Sequence, residues 1–344
     1  MRQITGYASQ QGSDGVAPYA FERRQLRPDD LAVDVHYCGV CHSDLDAVDS
    51  AAQGPARLVP GHEFTGRVAE IGSEVTRFAV GDMVAVGNIV DSCGACTACL
   101  AHQENYCHAF PTLTYGGSDR HDGLPTQGAY STGYVVRENF AYAVPPHLDA
   151  AAVAPLMCAG VTVWEPLRRW QVGPGTRVGV VGVGGLGHLA VKLAKALGAR
   201  VTVFTTSPSK ADAAYALGAD DVVLSNDSDA MSAQHDTHDL ILDTASVPHD
   251  MTPYLRVLAM DGTLCSLGIP ERLDFDPMAL LIGRKSIASA GSGGTRATQE
   301  LLEFCGDHGI TADVEVVPVA EVNEALARLR RNDVRYRFVL AMKA

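Results

Sequence analysis

Apolar and polar positions along this chain change rhythm once, near residue 150. Before that point short apolar runs are cut by glycines, as at 31–37, 66–71, 83–86, 134–136 and 141–144, and helical spacing is scarce. That texture predicts a compact β domain. Beyond it, strand-like runs at 177–181, 200–204, 221–224, 240–243, 263–267 and 286–290 alternate with helical spacing over 187–197, 210–217 and 250–258. Such alternation predicts a parallel, doubly wound sheet. The tail reads as a helix from about 295 stopped by Gly309, a strand at 314–317, an amphipathic helix over 320–331 and a closing strand at 336–340. In the amphipathic helix Val322, Ala325, Leu326 and Leu329 share one face. The expected class is α/β, a doubly wound parallel-sheet domain plus a β domain.

The strand at 177–181 runs directly into Gly182-Val183-Gly184-Gly185-Leu186-Gly187 and then into helical spacing. In a dinucleotide site the first glycine takes the tight turn, the second lets a pyrophosphate approach the backbone, and the third lets helix and strand pack closely. The helix N-terminus adds free N–H groups and partial positive charge. The alternative is a glycine turn that serves packing alone. The next strand ends in Phe204-Thr205-Thr206-Ser207-Pro208-Ser209-Lys210. An NAD site usually places an acid there to hold both ribose hydroxyls. Here hydroxyls and the Lys210 ammonium suit a 2′-phosphate, which favours NADPH; the competing reading is a surface loop with a helix cap.

Composition narrows the picture further. With 27 Lys+Arg against 40 Asp+Glu, the formal charge of −13 disfavours general nucleic-acid binding. No apolar run has the length of a membrane span, and the first residues lack the basic and apolar regions of a secretion signal, so a cytoplasmic protein with no membrane partner is expected. The 344 residues leave room for two domains.

Nine cysteines say more than the charge. Cys93, Cys96, Cys99 and Cys107 follow one another at a spacing that closes a tetrahedron around zinc. Four sulfurs leave no open position, so the expected role is structural. Cys38, Cys265 and Cys305 sit in apolar patterns and read as core. Cys41, His62 and Cys158 could form a second site of two thiolates and one imidazole, with a fourth position open. Spacing does not bring these three together. Each also has an ordinary reading: a buried thiol, a loop histidine, and a core residue beside Met157.

Gly39-Val40-Cys41-His42-Ser43-Asp44, Pro60-Gly61-His62-Glu63, the four-cysteine loop, Cys158-Ala159-Gly160-Val161-Thr162 and the glycine turn occur in one order. In that order the chain resembles the zinc-dependent medium-chain alcohol dehydrogenases, and more narrowly the cinnamyl alcohol dehydrogenase group with its bacterial aldehyde-reductase relatives. Leu156-Met157, Asp243-Thr244, Ser266-Leu267-Gly268 and residues 334–339 extend the likeness nearly end to end.

The resemblance implies a GroES-like catalytic domain from 1–154 plus 295–344, a Rossmann cofactor domain over 155–294, and an active site in the cleft between them. It implies two zinc ions per chain, the catalytic one on Cys41, His62 and Cys158, with Glu63 beside it and able to ligate it in some states. Asp44 would orient His62, and Ser43 would relay a proton. His42 and Arg337 would reach the cofactor phosphates. Weaker contacts are implied for Thr162, Thr244 and the backbone at Gly268 and Ile269, beside Gly182, Gly184, Gly185, Leu186, Gly187, Thr205, Thr206, Ser207 and Lys210.

The implied reaction is reversible hydride transfer between NADPH and a small-molecule aldehyde, giving a primary alcohol, in a homodimer. Relatives commonly carry histidine two positions after Asp44, where this chain has Asp46. The segment 47–58 is shorter by about one residue and lacks a tryptophan common beside the substrate, and Ala51-Ala52 opens space for bulkier substrates. The rivals are reduction of a C=N or conjugated C=C bond on the same fold, and a non-catalytic nucleotide-binding paralogue.

Overall fold

A computed structural model describes residues 2–55 and 57–343. The chain divides into two compact units, Met1–Cys158 with Gly293–Ala344, and Ala159–Ser292. The crossings fall at 158/159 and 292/293, where the sequence placed them at 154/155 and 294/295. The first shifts because the 3-10 turn Ala154–Met157 is buried against strands of the first unit. Cys158 therefore belongs to the same unit as Cys41 and His62.

In the second unit six parallel strands lie in the order Asp221–Leu224, Arg200–Thr205, Arg177–Val181, His238–Asp243, Leu258–Ser266, Ser286–Ser289. This is the 3-2-1-4-5-6 order of a Rossmann sheet. Val178, Val180, Val201, Val203, Ile241 and Leu242 are all fully buried, so these strands need continuous apolar runs rather than alternation. The order reverses between Arg177–Val181 and His238–Asp243, and a doubly wound sheet opens its ligand crevice at the carboxyl ends of the strands there. One element starts earlier than the sequence predicts. Leu258 follows the helix Thr252–Val257 directly and already pairs with His238, so the strand passes through Gly262, with a register shift, instead of starting after it.

The first unit is built on the strand Asp30–Val40, which pairs with Phe64–Ile71, Gly133–Arg137 and Arg337–Ala341 in a seven-stranded sheet. The tail contributes Arg337–Ala341 and its parallel neighbour Val314–Pro318 to this sheet. The helix Thr295–His308 stops at Gly309 in a left-handed conformation (φ 65°), and Val322–Arg330 turns the four expected apolar residues into the core. Arg2–Ala8 and Ala17–Arg23 form a further two-stranded sheet.

The helices that the sequence reading missed include Ala159–Arg169 and, at the site, His42–Gln53. Only Asp44, Leu45 and Val48 are buried along it, too few for an apolar stripe. Its start is set instead by Cys41 as N-cap, whose N–H donates to the Asp44 carboxylate three residues on (2.9 Å). Among the described residues no single helix is long and apolar enough to cross a membrane.

Candidate active site

Three segments of the first unit converge on Cys41, His62 and Cys158. The strand Asp30–Val40 delivers Cys41 to the head of its helix. His62 is delivered by a turn at Gly61, where φ is +101° and a side chain would strike Tyr130 at 2.6 Å. Cys158 ends the buried turn Ala154–Met157. Cys158 Sγ lies 3.9 Å from Cys41 Sγ and 3.2 Å from His62 Nε2. The ligand atoms of all three residues fall within 4.8 Å of one another.

Tetrahedral zinc with bonds of about 2.3 Å to sulfur spans S···S edges of about 3.8 Å. The donor set therefore fits zinc, and three donors leave a position open. The electrostatics agree. Contact with Cys158, together with Arg337 and His62, holds the Cys41 thiol well below the usual thiol range despite burial. Cys158 is pushed well above that range by Cys41 beside it and by burial. Crowding two buried sulfurs in this way suits a shared cation.

Asp44 organises the surround. Its carboxylate is fully buried and accepts from Cys41 N (2.9 Å), Gly61 N (2.9 Å), His62 Nδ1 (3.0 Å) and Tyr130 Oη (3.4 Å). The bond to Nδ1 turns Nε2 toward the sulfurs and fixes the tautomer in which Nε2 is free to ligate. Burial pulls His62 down, but Asp44 and Cys41 outweigh it and its pKa is raised well above the usual histidine value.

Glu63 is fully buried and ion-paired through Oε1 with the guanidinium of Arg337, while its Oε2 has no hydrogen-bond partner among the described residues. Burial, offset by Arg337, pushes the Glu63 carboxyl up to about 7. Gly39 makes room for it, since a Cβ there would sit 2.2 Å from Oε1. His42, Ser43 and Asp46 are exposed, with Ser43 Oγ 3.8 Å from Cys41 Sγ.

Sequence reasoning missed the two tyrosines. Half-buried Tyr115 sets its ring edge-on to His62, with centroids 5.6 Å apart, and donates its hydroxyl to the Ser43 carbonyl (3.0 Å). Tyr130 is fully buried beneath Asp44. Tyr115 directly precedes Gly116-Gly117, and Tyr130 lies between Gly128 and Gly133. Their one local signal is that each is an aromatic hydroxyl close in sequence to glycines.

The second cysteine cluster is local. Cys93, Cys96, Cys99 and Cys107 bring four sulfurs within 4.8 Å of one another, with pairs at 3.9 and 3.5 Å. Separations this long exclude disulfides, whose S–S bond is about 2.05 Å, and fit the edges of a zinc tetrahedron. Backbone N–H groups of Cys93, Cys96 and His108 point at sulfurs, and those of Cys99 and His108 draw the Cys96 thiol down to about 6.

Two family comparisons cover most of the chain. The alcohol dehydrogenase GroES-like domain matches residues 27–146, and the zinc-binding dehydrogenase domain matches 185–307. Aldehyde reductase YahK of Escherichia coli is 44% identical over 344 residues, covering 99% of this chain and 97% of its own. A cinnamyl alcohol dehydrogenase of Sorghum bicolor superposes with a TM-score of 0.94 at 42% identity, over 99% of this chain and 98% of that one. The chain belongs to the zinc-dependent medium-chain alcohol dehydrogenases, in the cinnamyl alcohol dehydrogenase and aldehyde reductase group. Within the group, the cinnamyl alcohol dehydrogenase of Helicobacter pylori, solved with NADP(H), has a TM-score of 0.90 at 33% identity over 99% of this chain and 98% of that one. The enzyme is thus an oxidoreductase of alcohols and aldehydes.

The family's glycine turn stands at the carboxyl end of Arg177–Val181 in the second unit. Gly182 takes φ +84°, open space lies where Gly184 would carry a side chain, and a Cβ on Gly187 would sit 2.1 Å from the Gly182 carbonyl oxygen. Gly185 and Leu186 complete the turn into the helix Gly187–Ala196. Thr244 Oγ1 donates to the Val181 carbonyl (2.7 Å) beside it. Thr205 is buried at the end of its strand, while Thr206 and Lys210 are exposed and Ser207 half-buried, with Ser207 Oγ 2.9 Å from Ser209 Oγ. Ile269 is exposed with φ 51°, next to Gly268. Thr162 Oγ1 accepts from Ser292 N (3.2 Å). His42 and Arg337 stand in the first unit, and Arg337 is buried against Glu63.

Proposed function

We propose that this enzyme reversibly reduces an aldehyde to a primary alcohol with NADPH, using one zinc ion on Cys41, His62 and Cys158 and a second, structural one on Cys93, Cys96, Cys99 and Cys107. The convergence of the first three residues with a position left open carries the reading. A zinc ion held there supplies Lewis-acid polarisation of the substrate oxygen, and the nicotinamide supplies the hydride.

The chain's own residues do the rest. Asp44 fixes the His62 ring and ties it to the head of the Cys41 helix, so two ligands share one anchor. Glu63, held by Arg337, keeps a free carboxylate oxygen within the buried site and can enter the ligand set. Ser43 Oγ, exposed beside Cys41, holds or passes the proton that the alcohol oxygen exchanges. Asp46, in place of the common histidine, makes the onward step to solvent run through a carboxylate.

The strand end supports NADPH, because no carboxylate stands between 205 and 211 to repel a 2′-phosphate. Lys210→Ala should raise KM for NADPH about tenfold, equivalent to about 1.4 kcal/mol, and leave KM for NADH unchanged. Oxidation of NADPH and NADH against aliphatic, aromatic and terpenoid aldehydes tests the reaction. Turnover with NADPH is expected, with bulky aldehydes tolerated beside Ala51 and Ala52. Asp46 favours one second reading, reduction of a conjugated C=C or a C=N bond. The regiochemistry of product from an α,β-unsaturated aldehyde separates the two.

We also propose a homodimer through the second unit. The strand Ser286–Ser289 ends the sheet, with Ile269, Met278, Leu281 and Ile282 exposed in that unit. A monomer by sedimentation would contradict this.

A further inference from the structure

Asp243 ends the strand His238–Asp243, in register with Val181 and so next to the Gly182 turn. Its carboxylate is fully buried. One oxygen accepts from Ala245 N (3.1 Å); the other has no hydrogen-bond partner among the described residues. Among the described residues His249 is the one basic side chain in ion-pair range of it, with Nε2 3.3 Å from Oδ2. The opposite ring nitrogen, Nδ1, lies 3.0 Å from the Val247 carbonyl oxygen. Both ring nitrogens thus lie within 3.3 Å of an oxygen, and although Nε2 is not aimed for a hydrogen bond to Oδ2, a carboxylate this near favours the imidazolium.

We infer that His249, held on Asp243, is a positioning residue that fixes the 244–248 loop against the dinucleotide turn; this rests on the NADPH reading above. The loop fits tightly on two sides. Thr244 N and Oγ1 both donate to the Val181 carbonyl (3.2 and 2.7 Å), and Thr244 Oγ1 lies 3.3 Å from where a Gly182 side chain would begin. On the other side, the Ala245 carbonyl oxygen stands 2.0 Å from the place a Cβ on Gly268 would take. The Asp243–His249 pair closes this loop on itself, so losing the charge on His249 leaves a buried carboxylate unpaired at the base of the crevice.

The groups facing His249 are Asp243 from its strand, Asp250 next in the chain, and Tyr254 from the helix Thr252–Val257, whose ring meets it edge-on at 5.8 Å. Asp243 leads in raising its pKa to about 9. Burial raises the Tyr254 hydroxyl above the usual tyrosine value. The pair is thus charged at neutral pH and is lost as pH rises through about 9.

The test is NADPH affinity by fluorescence from pH 7 to 10 for wild type, His249→Gln, and the double variant His249→Gln with Asp243→Asn. His249→Gln should bind about tenfold more weakly at pH 7 and converge on wild type near pH 10. The double variant, with no buried charge to neutralise, should recover most of the loss at pH 7. Ring-nitrogen NMR of His249 in unaltered protein gives a second measurement, expected to report an imidazolium at pH 7. Equal affinity and pH profile in wild type and His249→Gln, or a neutral ring at pH 7, would overturn the inference. Wild type that binds neither NADPH nor NADH would overturn the functional reading and the inference with it.

Discussion

The two cysteine clusters of the first unit hold similar atoms by opposite means. In the four-cysteine loop all donors come from one stretch, and backbone N–H groups of the same loop face the sulfurs. At the other cluster the donors are 117 residues apart at their widest, Cys41 to Cys158, and only the folded sheet brings them together. Around that site stand a buried aspartate with four donors and a buried Glu63–Arg337 pair. A loop that closes on its own ion needs only local turns. A site with an open position needs a fold to hold incomplete coordination in place, and buried charge to orient it.

The largest effect should come from the local cluster. Cys96→Ser should release one zinc ion and lower stability by several kcal/mol, because binding energy in a structural site is folding energy. Thermal unfolding with metal analysis checks it, and unchanged stability would erase the distinction between the clusters. Asp44→Asn should retain the fold but lower metal affinity or turnover about 10- to 100-fold, the usual cost of losing an outer-shell carboxylate. Titration with a competing chelator reads this directly.

The smallest effect concerns how the four-cysteine loop is tied to the rest of its unit. Glu104, within that loop between Cys99 and Cys107, accepts from Thr295 N (2.8 Å) and Thr295 Oγ1 (3.0 Å) at the head of the helix Thr295–His308. Glu104→Ala should cost about 1–3 kcal/mol, the usual penalty for stranding a buried donor, without changing zinc content. Faster amide exchange confined to the first turn of that helix would be its signature.

The same contrast explains what could be read from the chain. The four cysteines are legible because their spacing alone defines the site. The Rossmann strands are legible because sheets buried on both faces need unbroken apolar runs, and Gly182, Gly187 and Gly309 adopt the conformations their positions suggest. The helix His42–Gln53 escaped because polar capping, not an apolar stripe, specifies it. Tyr115 and Tyr130 escaped because their partners, Ser43, His62 and Asp44, are distant in sequence. The resemblance assigned Arg337 to the cofactor phosphates, whereas its burial against Glu63, a product of sheet pairing between Arg337–Ala341 and Asp30–Val40, has no local signal in the sequence.

The central claim, that one cluster is catalytic and the other structural, is tested most directly by zinc content and NADPH-dependent aldehyde turnover in wild type and Cys41→Ala. Wild type should carry two zinc ions per chain; the variant should keep one, unfold at nearly the same temperature, and lose at least about a thousandfold in turnover, in line with the Lewis-acid contribution. A variant that retains both ions, or that turns over like wild type, would contradict the account.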